Sequence, residues 1–356
     1  MYKASELELD KLLAITLERS ASDLHLEVGE PPILRIDSTI YRLEDYQILS
    51  ADAVSDLVGV MLNDVQKKNL GENMQLDFSY AYKDNARFRV NVYKAQGVWN
   101  AAFRLIPTSI RTLEELNLPP ILKKFTQYKQ GLVLVVGPTG HGKSTALASM
   151  INEINNTRSE HILTIEDPVE FLFTHKQSFI SQREVGQDAL SFDLALKAAL
   201  REDINVVLVG EMRDLESISA TLTLAETGHL IFATMHTNDA AQSVDRIVDV
   251  FPGDQQGQIR AQLANTLLGV VSLRLLPKVG GGRIPASEIM VVNHAIRNVI
   301  RDNKIYEIAN IIHTNIEEGM MPLDKALAQL VQQGLIERSV AENYVLDPDY
   351  FMSLLG

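Results

Sequence analysis

Residues 132–151 form a strand-like run, a glycine-rich loop and a helix-like segment in direct succession. The run 132–136 is entirely apolar, and the loop 137–144 matches the pattern G-x-x-x-x-G-K-[ST]. In this setting the glycines let backbone N–H groups surround an anion at a helix N-terminus. The segment therefore predicts a unit that binds the phosphates of a nucleotide. A chance glycine-rich turn is less favoured, because the strand, Lys143 and Ser144 all stand at the positions that the motif requires.

The last two residues of the loop have distinct predicted roles. Lys143 is expected to reach the outer phosphates, and the Ser144 hydroxyl is expected to ligate Mg²⁺. The predicted nucleotide-binding residues are Gly137, Pro138, Thr139, Gly140, His141, Gly142, Lys143, Ser144 and Thr145.

The composition restricts the classes of function. The chain has 356 residues, no cysteine and a net charge of −13. This length suffices for two domains, and the missing cysteine excludes disulfides, thiol nucleophiles and cysteine-bound zinc. An acidic chain is a poor general binder of nucleic acid.

No apolar run approaches the roughly 18–20 residues of a membrane span, and the start lacks a signal peptide's apolar core, so we expect a cytoplasmic protein.

Residues 1–106 are predicted to form a small α+β domain. Apolar residues at helical spacing predict an opening helix, and a second helix is expected from Ala51 to Lys68. The predicted strands are 21–26, 33–36, 87–93 and 99–105. Residues 107–119 begin and end with proline and are expected to be a linker.

Arginines lie on the polar side of the last two of these strands. In the strand 87–93, apolar residues alternate with Arg87 and Arg89, so both arginines project from one face. Arg104 projects from the polar side of the strand 99–105. On the residues alone, a solvated sheet face is the favoured interpretation.

Apolar runs alternate with helical segments after the linker. The runs are 132–136, 162–165, 206–209, 230–232 and 270–276. This alternation indicates an α/β fold with a mostly parallel sheet covered on both faces, which binds ligands at the carboxyl ends of its strands. We assign residues 120–284 to this core. After the glycines at 280–282 the chain is predicted to become helical, so residues 285–356 are expected to form a helical region packed on the core.

Acidic side chains follow two of these strands. Glu211 follows the strand 206–209 as in a Walker B motif and is expected to hold the Mg²⁺ shell. The alternative is an N-terminal carboxylate of the next helix. Glu166, Asp167 and Glu170 follow the strand 162–165, and any of the three could activate water by its position.

Two histidines flank the strand that begins at residue 230. Seven extended residues span roughly 20 Å, so His229 and His236 cannot both contact one phosphate from the same subunit. His236 is at the carboxyl end, on the ligand side of the sheet. His229 is at the opposite edge, where a structural role or a subunit contact is expected.

The ordered motifs resemble those of the secretion and pilus ATPases, most closely the PilT-type retraction ATPases of type IV pili. The resemblance extends nearly from end to end, and its last segment resembles a C-terminal signature linked to retraction. The matching segments are 21–26, 87–91, 165–171, 182–186, 200–203, 210–214, 227–237 and 295–302.

The resemblance implies a PAS-like N-terminal domain and a RecA-like core, with ATP and Mg²⁺ at the site. Glu170 would be the catalytic glutamate that activates water, and Glu211 the acid on the metal side. His236 would sense the γ-phosphate. Arg89 and Arg104 would be arginines of the N-terminal domain that close over the nucleotide.

The resemblance also implies an assembly and a location. The chain would form a homohexameric ring at the cytoplasmic face of the inner membrane. An inner-membrane pilus platform protein and the pilin filament would be its indirect partners. Hydrolysis would move the two domains about a hinge near Pro107. No nucleic acid and no zinc are expected.

The sequence departs from the family pattern at a few positions. His141 replaces a small residue, Asn205 stands where an acid is usual, and residues 94–97 lack an arginine often found there. Residues 299–302 are Val-Ile-Arg-Asp instead of Leu-Ile-Arg-Glu. A PilU-like accessory retraction ATPase is therefore an open alternative. A pilus assembly or type II secretion ATPase is another, although those commonly carry a tetracysteine zinc module.

Overall fold

The computed structural model describes residues 2–36, 39–83, 86–106 and 109–356. The chain divides into two units. One comprises Met1–Ser109 together with Pro168–Leu172, and the other comprises Ile110–Asp167 together with Phe173–Gly356. Pro107, where the hinge is predicted, lies outside the described residues.

The first unit contains an antiparallel sheet. Within the described residues it has six strands in the order β3-β2-β1-β6-β5-β4. The strands are β1 (Asp23–Leu26), β2 (Ile33–Ile36), β3 (Thr39–Arg42), β4 (Gln75–Tyr82), β5 (Ala86–Ala95) and β6 (Val98–Ile106), and the helices are α1 (Tyr2–Glu18), α2 (Ala51–Gly59) and α3 (Asp64–Asn73). Phe88 and Phe103 are fully buried in its core, with their rings edge to face at 6.4 Å.

The helix predicted from Ala51 to Lys68 is two helices, α2 and α3. The Asn63 side chain accepts the N–H of Gln66, and the Gln66 side chain accepts the N–H of Asn63. This capping box begins a new helix and explains the break. The strands β3 and β4 are not predicted by the sequence, because β3 is exposed throughout and β4 lacks regular alternation.

The second unit contains a mixed sheet. The described residues give it seven strands in the order β13-β12-β7-β11-β10-β8-β9. They are β7 (Gly131–Val136), β8 (His161–Glu166), β9 (Phe179–Glu184), β10 (Val206–Val209), β11 (Leu230–Met235), β12 (Leu267–Pro277) and β13 (Arg283–Val291). Neighbouring strands are parallel except β12 and β13. All of β7 is buried, as expected for a parallel strand covered on both faces. The predicted α/β class is confirmed.

Helices cover this sheet and form the end of the chain. They are α4 (Ile121–Phe125), α5 (Lys143–Thr157), α6 (Phe192–Ala199), α7 (Leu215–Glu226), α8 (Ala240–Asp249), α9 (Gly253–Thr266), α10 (His294–Arg301), α11 (Ile308–Thr314), α12 (Leu323–Gln332), α13 (Arg338–Glu342) and α14 (Pro348–Leu355). Each of the five apolar runs predicted as strands lies within a strand.

The prediction that the chain becomes helical after residues 280–282 is wrong for residues 283–291. Gly280, Gly281 and Gly282 all have positive φ, and the chain turns back there. β13 then pairs with β12 in antiparallel register, from Gly269 opposite Val291 to Pro277 opposite Arg283. Helices follow only from His294.

Candidate functional site

The loop between β7 and α5 depends on its glycines for its conformation. Gly137, Gly140 and Gly142 have φ of +137°, +80° and +88°, which residues with a Cβ rarely adopt. Gly137 is constrained further, because a Cβ there would lie 2.6 Å from the carbonyl oxygen of Leu273 in β12. This backbone is of the kind that can approach a phosphate closely.

Lys143 is buried although it carries a charge. Its Nζ donates hydrogen bonds to the carbonyl oxygens of Gly137 at 2.9 Å and Pro138 at 3.0 Å. The ammonium group is thus held against the loop at the start of α5, where its charge and the helix dipole both favour an anion. Gly137 is also buried, whereas seven of the predicted loop residues are exposed or partly exposed: Pro138, Thr139, Gly140, His141, Gly142, Ser144 and Thr145.

His141 connects the loop to β12. Its Nδ1 accepts a hydrogen bond from the N–H of Leu275 at 3.0 Å, and its ring contacts the ring of Tyr344 edge to face. Burial lowers the pKa of His141, and the positive charges of Arg274 and Lys143 lower it further. The neutral ring that this favours is the form able to accept at Nδ1.

Glu211 and His236 come together at the ends of two neighbouring parallel strands. Glu211 follows β10 and His236 follows β11. His236 Nε2 lies 3.3 Å from Glu211 Oε1, and Arg213 Nη2 lies 2.6 Å from Glu211 Oε2. The Glu211 side chain is only 16% exposed, and each of its two carboxylate oxygens contacts one of these partners. Arg213 is an addition from the structure, since no role was predicted for it.

A cavity of about 440 Å³ opens beside these strand ends. Its lining includes the paired Glu211 and His236 and two arginines, one from the loop after β10 and one from α8. The lining residues are Glu211, Met212, Arg213, Met235, His236, Thr237, Asn238, Gln242 and Arg246. This mixture of cationic and amide groups can accommodate an anion.

The three acids after β8 differ in their surroundings. Glu166 is buried and accepts hydrogen bonds from Thr164 Oγ1 at 2.7 Å and Gln182 Nε2 at 3.4 Å. Asp167 and Glu170 are exposed. Glu166 is therefore held by hydrogen bonds within the sheet, while the carboxylates of Asp167 and Glu170 are accessible to solvent. Glu170 belongs to the segment Pro168–Leu172 of the first unit.

Arg89 and Arg104 are directly opposite each other in the pairing of β5 and β6 and so share a face of the sheet. Arg104 is 73% exposed, and its Nε lies 2.9 Å from Oδ1 of the buried Asp23. Arg89 Nε lies 3.8 Å from Asp77 Oδ1. Asp23 was not predicted as part of a site, although it lies in one of the matching segments.

The type II/IV secretion system protein family matches residues 4–337 of this sequence. The chain belongs to this family. The match confirms the predicted resemblance to the secretion and pilus ATPases.

Proteins of type IV pili are similar to this chain over most of its length. The type IV pilus retraction ATPase PilT of Pseudomonas aeruginosa is 45% identical over 97% of this chain and 100% of its own. The type IV pilus ATPase PilU of the same organism is 37% identical over 93% of this chain and 86% of its own. A crystal structure of the pilus retraction motor PilT with bound ADP matches with a TM-score of 0.88 and 44% identity, covering 96% of this chain and 98% of that chain.

Two further findings concern possible metal sites and membrane spans within the described residues. Across the ranges that the structure describes, no three or more His, Asp or Glu side chains are grouped to hold a metal ion. None of the helices in those ranges is long and apolar enough to cross a membrane.

His229 has a local role in the turn before β11. Its Nδ1 lies 3.1 Å from the carbonyl oxygen of Leu224 and 3.4 Å from Thr227 Oγ1. These contacts fit the structural role, the first of the two alternatives from the sequence.

Proposed function

We propose that this chain is an ATPase that powers the retraction of type IV pili. The observation that carries the proposal is the 45% identity to P. aeruginosa PilT, a pilus retraction ATPase, over the whole length of that protein. The identity to PilU is lower, at 37%. An accessory retraction ATPase of the PilU kind is therefore the second candidate, and an assembly or secretion ATPase the third.

ATP is proposed to bind at the loop 137–145. The buried Lys143 and the N-terminus of α5 supply positive charge for the phosphates. The bound ADP in the similar PilT crystal structure supports this class of ligand. The proposed contacts are Gly137, Pro138, Thr139, Gly140, His141, Gly142, Lys143, Ser144 and Thr145.

The donor set at this site fits Mg²⁺. This ion prefers hard oxygen ligands and usually takes only one or two from the protein beside phosphate and water. We propose the partly exposed Ser144 hydroxyl and the Glu211 carboxylate for this role. When bound, the ion would neutralise charge on the phosphoryl oxygens.

Hydrolysis needs a group that activates water and a group that responds to the γ-phosphate. We propose the exposed Glu170 as the base, since it can accept a proton from water. His236 is proposed as the sensor of the γ-phosphate. Because its Nε2 lies 3.3 Å from Glu211 Oε1, a movement of the His236 ring directly affects Glu211, the proposed Mg²⁺ ligand.

Arg89 and Arg104 are proposed to stabilise negative charge on the nucleotide. Their opposed positions in β5 and β6 place both guanidinium groups on one face. The buried carboxylate of Asp23 restricts Arg104, so less conformational entropy is lost when this arginine binds an anion.

The proposed motor has a PAS-like N-terminal domain (1–106), a linker (107–119), a RecA-like core (120–284) and a helical C-terminal region (285–356), of which residues 285–291 complete β13. We propose that it forms a homohexamer at the cytoplasmic face of the inner membrane, with a pilus platform protein as partner and the pilin filament as indirect load. Native mass spectrometry tests the ring. A fully active monomer would refute it.

A deletion strain tests the function. Loss of retraction leaves cells with excess pili and no twitching motility, whereas loss of assembly leaves cells without pili. Purified protein should hydrolyse ATP in a Mg²⁺-dependent manner. Normal twitching in the deletion strain, or bald cells, would contradict the proposal.

A further inference from the structure

A largely buried polar cluster lies on the pair of strands β12 and β13, and none of its members was predicted as a site residue. It consists of Ser272, Arg274 and Glu288, hereafter the β12–β13 cluster. Ser272 is directly opposite Glu288 in the strand pairing, and Arg274 is two residues along β12, so all three share one face. Ser272 and Arg274 are buried.

The cluster holds the segment between β11 and α8, which begins with His236. The carbonyl oxygen of Asn238 accepts hydrogen bonds from Ser272 Oγ at 2.6 Å and Arg274 Nη2 at 2.9 Å. The N–H of Ala240 donates to Glu288 Oε1 at 2.8 Å. Both ends of the segment 238–240 are thus anchored to β12 and β13.

The same end of β12 contacts the phosphate loop. Arg274 Nη1 donates to the carbonyl oxygen of Leu273 at 3.0 Å, and this oxygen is the atom that leaves no room for a Cβ on Gly137. One residue beyond Arg274, the N–H of Leu275 donates to Nδ1 of His141. A single guanidinium group therefore links the strand that abuts the phosphate loop to the segment that carries His236.

We propose that Arg274, supported by Ser272 and Glu288, is a positioning residue that fixes the His236 segment relative to the phosphate loop during ATP hydrolysis; this inference rests on the proposed function. The planar guanidinium reaches two carbonyl oxygens on different segments at once. A lysine ammonium keeps the positive charge but lacks the two separate N–H₂ groups of the guanidinium. It therefore cannot donate to both carbonyl oxygens with the same geometry. Arg274 acts through His236, which in turn contacts Glu211 at 3.3 Å.

A double-mutant cycle separates this role from a general contribution to stability. Arg274→Lys should lower kcat roughly 10- to 100-fold, since small displacements of a catalytic group have effects of this size, while the Kd for ADP changes less than about threefold. In single-turnover assays, Arg274→Lys should have no further effect in the His236→Ala background. Arg283→Lys, at an exposed position of β13, is the matched control and should leave kcat unchanged. An equal loss in both backgrounds would overturn the proposal.

Ser272→Ala repeats the test with a smaller change, in case Arg274→Lys does not fold. It removes the hydrogen bond to Asn238 and the one that Ser272 Oγ accepts from Arg274 Nη1 at 3.3 Å, while Arg274 keeps its hydrogen bonds to Leu273 and Asn238. It should lower kcat in the same direction, and this loss should also disappear in the His236→Ala background.

Hydrogen exchange provides a measurement that does not require ATP turnover. In both variants the backbone amides of residues 236–240 should exchange faster than in the wild type, and those of α12 should not change. Unchanged exchange over 236–240 would overturn the positioning role. If the wild-type protein does not hydrolyse ATP, the proposed function is wrong. The exchange rates of residues 236–240 would still show whether Arg274 and Ser272 hold the His236 segment in place.

Discussion

Lys143 combines burial, positive charge and two hydrogen bonds to carbonyl oxygens of its own loop. We predict that Lys143→Ala lowers ATP affinity by about 100-fold, or about 3 kcal/mol, because a charge-assisted contact to phosphate is lost. Titration with a fluorescent nucleotide measures the effect. Lys197→Ala, which removes an exposed lysine paired with Asp193, should leave affinity unchanged. Equal affinities in both variants would remove Lys143 from the site.

The three acids after β8 can be distinguished by isosteric amides. We predict that Glu170→Gln lowers kcat roughly 100-fold or more and keeps nucleotide binding, because only the proton acceptor is lost. Steady-state turnover and nucleotide titration measure the two effects. Wild-type turnover in Glu170→Gln would reject the assignment, and a larger loss in Asp167→Asn would transfer the role to Asp167.

Glu166→Gln has a different expected effect. This carboxylate is buried and hydrogen-bonded to Thr164 and Gln182. The variant should therefore change the free energy of unfolding, since the buried hydrogen-bonding pattern is altered.

At the scale of elements, the site depends on how closely β12 packs against the phosphate loop. Gly137→Ala introduces a Cβ 2.6 Å from a backbone oxygen and requires φ near +137°, whereas Gly140→Ala at φ +80° meets nothing within 4 Å. We predict that Gly140→Ala costs about 1–2 kcal/mol of stability from its backbone conformation alone, and that Gly137→Ala costs more. Denaturant unfolding of both variants provides the measurement. Equal losses of unfolding free energy in the two variants would show that β12 moves aside to make room for the added Cβ.

At the scale of the whole molecule, Glu288 links stability to pH. Glu288 keeps some exposed surface, yet its carboxyl group lies deep enough for burial to raise its pKa from 4.5 to about 7. The hydrogen bond from Ala240 and the charge of Arg274 oppose this rise, and Asp239 and Asp324 add to it. The folded chain therefore binds this proton more tightly than the unfolded chain.

The sign follows from that difference. The contribution of Glu288 is fully present below pH 4.5 and is lost as the pH rises to about 7. Relative to Glu288→Gln, the wild type should lose up to about 3 kcal/mol of unfolding free energy over this window. Chemical denaturation at several pH values measures both proteins. Parallel pH profiles would show that Glu288 does not titrate there.

The sequence alone determined the features that depend on neighbouring residues in the chain. The buried strands of the α/β core are visible as continuous apolar runs, and the phosphate loop is visible because its glycines, Lys143 and Ser144 are consecutive or nearly so. The shared face of Arg89 and Arg104 also follows from simple alternation along two strands. Strands without such a pattern were missed, as in β4 and in β9, whose middle residues Ser181, Gln182 and Arg183 are polar.

Tertiary structure decided what depends on the order of strands in the sheet. The contact of Glu211 with His236 arises because β10 and β11 are neighbours, although the two residues are far apart in the chain. Arg274 meets Asn238, and Leu273 meets Gly137, because β12 lies beside β7. Glu288 meets Ala240 because β13 pairs with β12. Pairing of distant segments is set by burial of the whole sheet and has no local signature. For that reason the loop was recognised from its own residues, and the groups that hold it in place were not.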